Sequence, residues 1–352
     1  MKKFLSMAVV LSMIFTLTGV LTGCSGTGSS EVELSVYNFG EYIDEDVLEQ
    51  FEEEFGVSVN YKTYDTCEAL YSVMNNGGAD YDVIITSDYM IDRMIKEGML
   101  ETINVGAMEN YSKLGENYTS LAYDPENQYS VVYMWGTVGM IYNGAEITEE
   151  LDSWSAMFDE KYAGNILMFE SSRDSMAIAL QYLGYDVNTT NPEELQAAYE
   201  LLESQKPLVQ GYFQDQMYSK LESSEALLGA YYAGDYLLML ENNPDLKFVL
   251  PKEGTNLFFD AMCIPAGAEN KELAEKFIDF MCRTDIAEKN MAATGYASPN
   301  QEACDAYAAE LDDYAKSVMF PSDEVLANCQ VYTNLPEETL ELYDKYWVDL
   351  KS

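Results

Sequence analysis

The sequence predicts an α/β protein of two lobes with a ligand cleft between them, and three observations carry that expectation. About 330 residues follow a removable N-terminal segment, more than one hydrophobic core usually organises. Strand and helix patterns alternate along most of that length, as α/β sheets require. Aromatic and acidic residues recur just after the strands, where open α/β sheets take their ligands.

The chain opens on Lys2 and Lys3, runs through an apolar stretch from Phe4 to Val20 and reaches Leu21-Thr22-Gly23-Cys24. A basic end, an apolar segment and small residues before a cut are the layout of a secretory signal. The same residues fit the bacterial lipobox, so residues 1–23 are expected to be removed and Cys24 to be lipidated. Two acyl chains give the paired anchor that stable attachment requires. Residues 24–31, which include Ser25-Gly26-Thr27-Gly28-Ser29-Ser30, then form a flexible tether. The protein is expected outside the cytoplasmic membrane, held to its outer face, and no later stretch is long and apolar enough to span a bilayer.

Val32–Tyr37 reads as the first strand. Asp44 caps a helix with Val47, Leu48, Phe51 and Phe55 on one face, and Gly56 ends it. A second strand, Val57–Thr63, leads to a helix around Glu68–Asn75. The third, Tyr81–Thr86, is continuously apolar, as a buried parallel strand is, and Ser87 caps a helix running to about Glu97. Tyr129–Tyr142 holds two apolar runs broken at Trp135-Gly136, which fits a strand pair or one crossover strand. Alternation then resumes: a strand near Asn165–Met168, helices from about Asp174 to Leu183 and over Pro192–Gln205, a strand Leu227–Tyr232, a helix from Gly234 and a strand Leu246–Leu250. After a strand at Phe258–Ile264, helices dominate, over Lys271–Cys282, Thr284–Ala293 and Glu337–Leu350. The chain is expected to cross between lobes more than once. One lobe is assigned 32–136 plus about 258–305, the other about 137–257 plus 306–352.

Composition indicates a well-packed protein, with 48% hydrophobic residues, 28 Tyr and 14 Phe. Acids outnumber bases 61 to 19, and losing Lys2 and Lys3 with the leader leaves 17 bases and a formal charge of −44. That balance excludes nucleic acid as a partner and attracts cationic solutes, although it also serves plain solubility. Histidine is absent, which removes the commonest general base and metal ligand. Beyond Cys24 stand Cys67, Cys263, Cys282, Cys304 and Cys329, an odd number, so at least one is free or pairs outside the chain, and no spacing suggests zinc. No metal or cofactor is expected.

After the first strand come Phe39 and Tyr42; after the third, Ser87, Asp88 and Tyr89. Trp135 follows, then Glu170-Ser171-Ser172-Arg173-Asp174, Tyr231 and Tyr232, Phe258 with Asp260, and Tyr296 in Gly295-Tyr296-Ala297-Ser298-Pro299. Arg173 is the one basic residue in the set. A cleft of aromatic faces and carboxylates suits an aliphatic body with ammonium ends, because rings pack on methylenes and attract cations while acids accept charge-assisted hydrogen bonds. Each residue also has a plainer explanation: Ser87 as an N-cap, Asp174 as a helix-start acid, any single aromatic as core. Their recurrence at strand ends is what points to a site.

Taken in order, Tyr37-Asn38-Phe39-Gly40-Glu41-Tyr42, Tyr81-Asp82-Val83-Ile84-Ile85 with Ser87-Asp88-Tyr89, Trp135-Gly136-Thr137, Arg173-Asp174, Pro251-Lys252-Glu253-Gly254, Asp260 with Ile264-Pro265, and Gly295–Asn300 resemble the spermidine/putrescine-binding proteins of ABC importers. The match runs from about Val32 to the C-terminus. The resemblance implies a periplasmic-binding-protein-like fold of class II closing on a polyamine, and a monomer that serves permease subunits of the importer. It assigns ligand contacts to Phe39, Tyr42, Ser87, Tyr89, Asp174, Tyr232, Phe258, Asp260 and Tyr296, with Asp174 and Asp260 holding ammonium groups. Asp88, Trp135 and Ser171 are candidates beside them, and Gln330 or Thr333 for a polar group near the C-terminus. The family pattern has tryptophan at positions 39, 232 and 258, where this chain has smaller rings. With Ser171 in place of a possible acid, that favours a diamine over a triamine. The alternatives are a receptor for another small cationic solute and, in another class, an exported hydrolase using paired carboxylates.

Overall fold

A strand buried on both faces reads as an unbroken apolar run, and β3 (Val83–Ser87) opens on such a run, Val83-Ile84-Ile85. It lies parallel to β1 (Glu33–Phe39), whose other edge pairs with β2 (Ser58–Tyr64), also parallel. The computed structural model describes residues 32–77 and 80–352, so the leader, the tether and the Cys24 assignment lie outside the described residues. Helices α1 (Glu45–Phe55), α2 (Cys67–Asn75) and α3 (Asp88–Lys96) connect and follow these strands. Asp44 caps α1 by accepting the Asp46 N–H at 3.0 Å. Gly56 ends it at a φ of 66°, which costs glycine nothing.

Of the two options for Tyr129–Tyr142, the chain takes the crossover. Ser130–Asn143 is one strand, β4, buried throughout. Its first part, to Thr137, pairs antiparallel with β9 (Thr255–Cys263), which also borders β3. Its last part, from Val138, pairs with β7 (Leu228–Tyr232) and β8 (Leu246–Val249). Beyond β7 lie β5 (Ile166–Phe169) and β6 (Val209–Phe213), both parallel to their neighbours, giving the order β2-β1-β3-β9-β4-β7-β5-β6. Two lobes are thus joined through β4, and β9 carries the chain back.

Around the second lobe's strands stand α4 (Ser172–Tyr182), α5 (Pro192–Gln205), α6 (Gln216–Glu222) and α7 (Ala233–Met239). The return through β9 leads to α8 (Lys271–Met281), α9 (Thr284–Thr294) and α10 (Gln301–Ala308), then α11 (Asp313–Met319) and α12 (Asp323–Leu326). A two-residue strand, β10 (Cys329–Gln330), pairs with the start of β9, and α13 (Glu337–Lys351) closes the chain. The core of the second lobe, around Trp154, Phe169 and Tyr236, takes in Tyr343, Tyr346 and Leu350 of α13, so the chain crosses again before its end. The first lobe builds its core on Leu34, Val36, Phe51, Ile85, Phe277 and Ile278. β6, α6, α10, α11, α12 and β10 are additions to the elements expected from sequence. No helix among the described residues is long and apolar enough to cross a membrane. All five cysteines there are free thiols, four of them buried.

Candidate functional site

Alternate residues of a strand face opposite ways, and β9 uses this to build the centre of the site. Phe258 and Asp260 share the face that lines a cleft of about 600 Å³ between the lobes. Phe259 points the other way. Trp135 sits directly opposite Phe259 in the ladder, so it too points away from the cleft. It packs against Tyr118, 5.7 Å between ring centres, and among Met291, Ala297 and Met319. The expected contact at Trp135 is therefore corrected: β-strand alternation puts the ring behind the site. Its neighbour Gly136, opposite Phe258, leaves room for that ring, since a Cβ there would stand 2.9 Å from Phe258 Cζ.

The aromatic residues form a continuous arc. Phe39 meets Tyr42 edge to face at 5.7 Å, Tyr42 meets Tyr296 at 5.1 Å, Tyr296 meets Phe258 at 5.9 Å and Phe258 meets Tyr232 at 5.8 Å. Such edge-to-face pairs fix one another's orientation. The arc begins at the end of β1 and finishes at the end of β7, so it spans both lobes. Gly234 and Gly295 let it close: their backbones touch, and a Cβ on Gly234 would stand 2.6 Å from the Tyr296 ring.

Carboxylates sit along this arc. Asp260, only 5% exposed, accepts hydrogen bonds from Ser87 Oγ at 2.6 Å and Tyr42 Oη at 2.9 Å. Burial pushes its pKa up to about 6 against those two bonds, with the charge of Asp174 adding to the rise. Asp174, in the first turn of α4, accepts from Tyr332 Oη at 3.2 Å. Burial raises it to about 6 as well, helped by Glu68 and opposed by the Ser171 and Tyr332 bonds and by Arg173. Asp235, in the first turn of α7, accepts from the Tyr296 hydroxyl. Burial lifts it to about 7, with Asp215 and Glu41 pushing the same way.

Eleven of the twelve expected ligand-site residues line the cleft, Trp135 being the exception. Their roles differ from the plain sequence reading in places. Ser87 precedes α3 but makes no capping bond; its hydroxyl serves Asp260 instead. Asp88 is 1% exposed, and its two oxygens accept the backbone N–H groups of Tyr89 and Phe259, tying α3 to β9. Burial holds its pKa well above the ordinary carboxylate range. Ser171 caps α4 through the Asp174 N–H. Arg173 turns away from the cleft into a buried nest of Tyr343 Oη, Asn188 Oδ1 and the Thr333 carbonyl. Consequently no Lys or Arg stands among the lining residues.

Sequence reasoning missed Asp235, Asp215, Glu41, Asp65 and Tyr332, all of which line the cleft. Gln330 and Thr333 do not line it. Gln330 accepts the Val187 N–H, and Thr333 gives its backbone to Asn188 and Arg173. An acid three residues past the end of a strand was visible in Tyr232-Ala233-Gly234-Asp235.

Two lobes joined by crossing strands, with a cleft of ordered rings and carboxylates between them, define a solute-binding protein. The family model for bacterial extracellular solute-binding proteins matches residues 46–321. The chain is 32% identical over 322 residues to the spermidine/putrescine-binding periplasmic protein of Escherichia coli strain K12, covering 91% of each. Among solved structures it is similar to a spermidine/putrescine ABC transporter protein from Listeria monocytogenes, at 35% identity and a TM-score of 0.86 over 91% of this chain and 98% of that one. It is similar also to the TpPotD lipoprotein of Treponema pallidum, at 25% identity and a TM-score of 0.79 over 90% of this chain and 99% of that one. The chain belongs to the spermidine/putrescine-binding family of bacterial extracellular solute-binding proteins, which serve ABC transporters and are not enzymes.

Proposed function

We propose that the chain captures a polyamine, putrescine or spermidine, in this cleft and delivers it to an ABC importer. One observation carries the reading: Asp174, Asp260 and Asp235 lie along an aromatic arc in a cleft without a basic side chain. Rings give cation–π attraction of about 0.5–2 kcal/mol per ammonium, and each carboxylate supplies a charge-assisted acceptor. A carboxylate or phosphate ligand would find no counter-charge there. The proposed ligand contacts are Phe39, Tyr42, Ser87, Tyr89, Ser171, Asp174, Tyr232, Phe258, Asp260 and Tyr296, with Asp235 added. The lobes are proposed to divide near 136–137 and again near 257–258, and the loaded receptor to act as a monomer.

The names of the relatives support a polyamine over other cations, and the lipoprotein among them supports an anchor at Cys24. Lipid attachment keeps the loaded receptor at high effective concentration beside the membrane permease.

Calorimetric titration with putrescine, spermidine and spermine tests the reading, alongside a thermal melt. A ligand that binds only the folded state stabilises by RT ln(1 + [L]/Kd), so a rise in Tm with at least one amine is expected. No rise with any of them at about 100 times a micromolar Kd overturns it. For the anchor, Cys24→Ser should move the protein from the membrane fraction to the medium.

A further inference from the structure

The two sides of the cleft are not built alike. On the Asp235 side, Glu41, Asp65 and Asp215 are exposed, and the cleft opens to solvent. The Asp174 side is closed by Tyr332, which is 6% exposed. Its ring meets Tyr89 of α3 edge to face at 6.0 Å, lies 4.7 Å from the Arg173 guanidinium and packs on buried Ala177 and Val187. Its hydroxyl takes Asp174 Oδ1.

That wall is pinned from both sides in the chain. The Val331 carbonyl accepts from Asn188 Nδ2 at 2.9 Å, the Thr333 N–H donates to Asn188 Oδ1 at 2.9 Å, and the Thr333 carbonyl accepts from Arg173 Nη2 at 3.3 Å. Shifting this backbone would break these bonds, and rotating the ring away would break its bond to Asp174 and uncover Arg173, a buried cation whose partners are neutral acceptors. Tyr332 is therefore a fixed boundary.

We propose that Tyr332 is the specificity-determining residue of the cleft, closing its Asp174 side and restricting the ligand to the length of a diamine. The inference rests on the polyamine reading above. An ammonium reaching Asp174 finds one carboxylate oxygen already bonded and a ring beyond it. A triamine carries a further aminopropyl arm and a further charge. At the wall that arm meets the buried Tyr332 ring, and the further carboxylate on this side, Glu68, stands behind Tyr89 and already accepts its hydroxyl, so the arm's ammonium would lose water beside a ring instead of gaining an acceptor in the cleft. Discrimination then comes from obstruction rather than from added attraction.

The experiment is titration of wild type, Tyr332→Phe and Tyr332→Ala with diamines of three to six methylenes and with spermidine. Wild type should bind putrescine about tenfold or more tighter than spermidine, the scale at which a shaped site discriminates by length. Tyr332→Phe keeps the ring and should keep that preference. Tyr332→Ala should raise spermidine affinity relative to putrescine by about tenfold and move the best diamine to a longer chain. If Tyr332→Ala gives no cooperative melt, Tyr332→Leu, which retains the contacts with Ala177 and Val187, carries the same test. A spermidine to putrescine ratio that stays within about threefold in the Ala or Leu variant overturns the inference, as does a wild type that prefers spermidine. The extra arm would then lie on the open side, and Asp215→Asn would weaken spermidine alone. Failure of wild type to bind any amine instead overturns the polyamine reading itself.

Discussion

Asp174 and Asp235 are built on one plan and surrounded differently. Each is an acid in the first turn of the helix that follows a strand of the second lobe, and each accepts a hydrogen bond from a tyrosine hydroxyl. Asp174 has one like charge, Glu68, which pushes its pKa up, and the buried cation Arg173, which pulls it down. Asp235 has like charges, Asp215 and Glu41, which push it up. The carboxyls consequently settle at about 6 and about 7, both raised mainly by burial. A similar local device thus gives two acceptors in different surroundings: Arg173 is set beside Asp174 by the chain itself, whereas Asp215 and Glu41 are brought to Asp235 by the fold.

Asp260 lies between them in influence: Asp174 raises its pKa, and Tyr42, its donor, feels both Asp260 and Asp235. Removing it should have the largest effect. Asp260→Asn leaves Ser87 and Tyr42 without a charged acceptor and an ammonium without its partner, so affinity should fall by about 2–5 kcal/mol, read by calorimetry. A loss below about 0.5 kcal/mol would remove Asp260 from the site, since that is the scale of a screened surface pair.

Asp235→Asn and Asp174→Asn test the comparison itself. Each deletes one charged acceptor, a loss of about 1.5–3 kcal/mol. In free protein the Asn at 235 also relieves repulsion with Asp215 and Glu41, whereas the Asn at 174 strips a compensating charge from Arg173. Both carboxyls are raised by burial, so at pH 8 both substitutions should raise the Tm of the ligand-free protein, Asp235→Asn by more because Arg173 offsets part of the cost at Asp174. A gain at 174 equal to or larger than that at 235 would mean that the surrounding charges do not distinguish the two sides.

The pH dependence follows from the same shifts. All three carboxyls are raised above the ordinary value near 4, so between about pH 4 and 7 the folded state holds protons that the unfolded state has released. Stability of the free protein should rise as pH falls through about 7 and then 6, and the gain ends near 4, where both states are protonated. Ligand affinity should move in the opposite direction, because an ammonium needs the ionised acid. Melts and titrations at pH 8, 6.5 and 5.5 check both signs. In Asp235→Asn the loss of affinity should begin about one unit lower, since the groups near 6 then titrate first.

Much of this was legible in the sequence. Strands such as Val83–Ser87 are marked by an apolar run, here Val83-Ile84-Ile85, and helices such as Pro192–Gln205 by an N1 proline behind a capping Asn191. β6 was not, because Val209-Gln210-Gly211-Tyr212-Phe213 is only half-buried and carries a glycine at its centre. α10, α11 and α12 run eight, seven and four residues, too short for periodicity to declare them. Within the site, the strand-end rule found the arc from Phe39 to Tyr296 and the acids Asp174 and Asp260. Tyr332 escaped it because it lies in an irregular segment whose position is set by Asn188 and Arg173. For Ser87 the sequence pointed to a helix cap, and only the register of β3 against β9, which sets Ser87 opposite Asp260, gives its hydroxyl another partner.

Trp135 makes the sharpest contrast between the front of the cleft and its back, and it carries the smallest effect on binding. Its sequence position beside Gly136, at the strand where the lobes meet, resembles that of the true cleft residues. Yet Trp135 Nε1 is buried without a hydrogen-bond partner, and the ring contacts Tyr118, Met291 and Met319. Trp135→Phe removes an unsatisfied donor while leaving a smaller ring and a gap, opposing effects of about 1–3 kcal/mol each. A change in Tm of either sign is thus compatible with the packing, but the affinity for a polyamine should stay within about twofold of wild type, well under the 1.4 kcal/mol of a tenfold change. A clear loss of affinity with an unchanged Tm would place the ring in the cleft and reverse the alternation argued for β4 and β9.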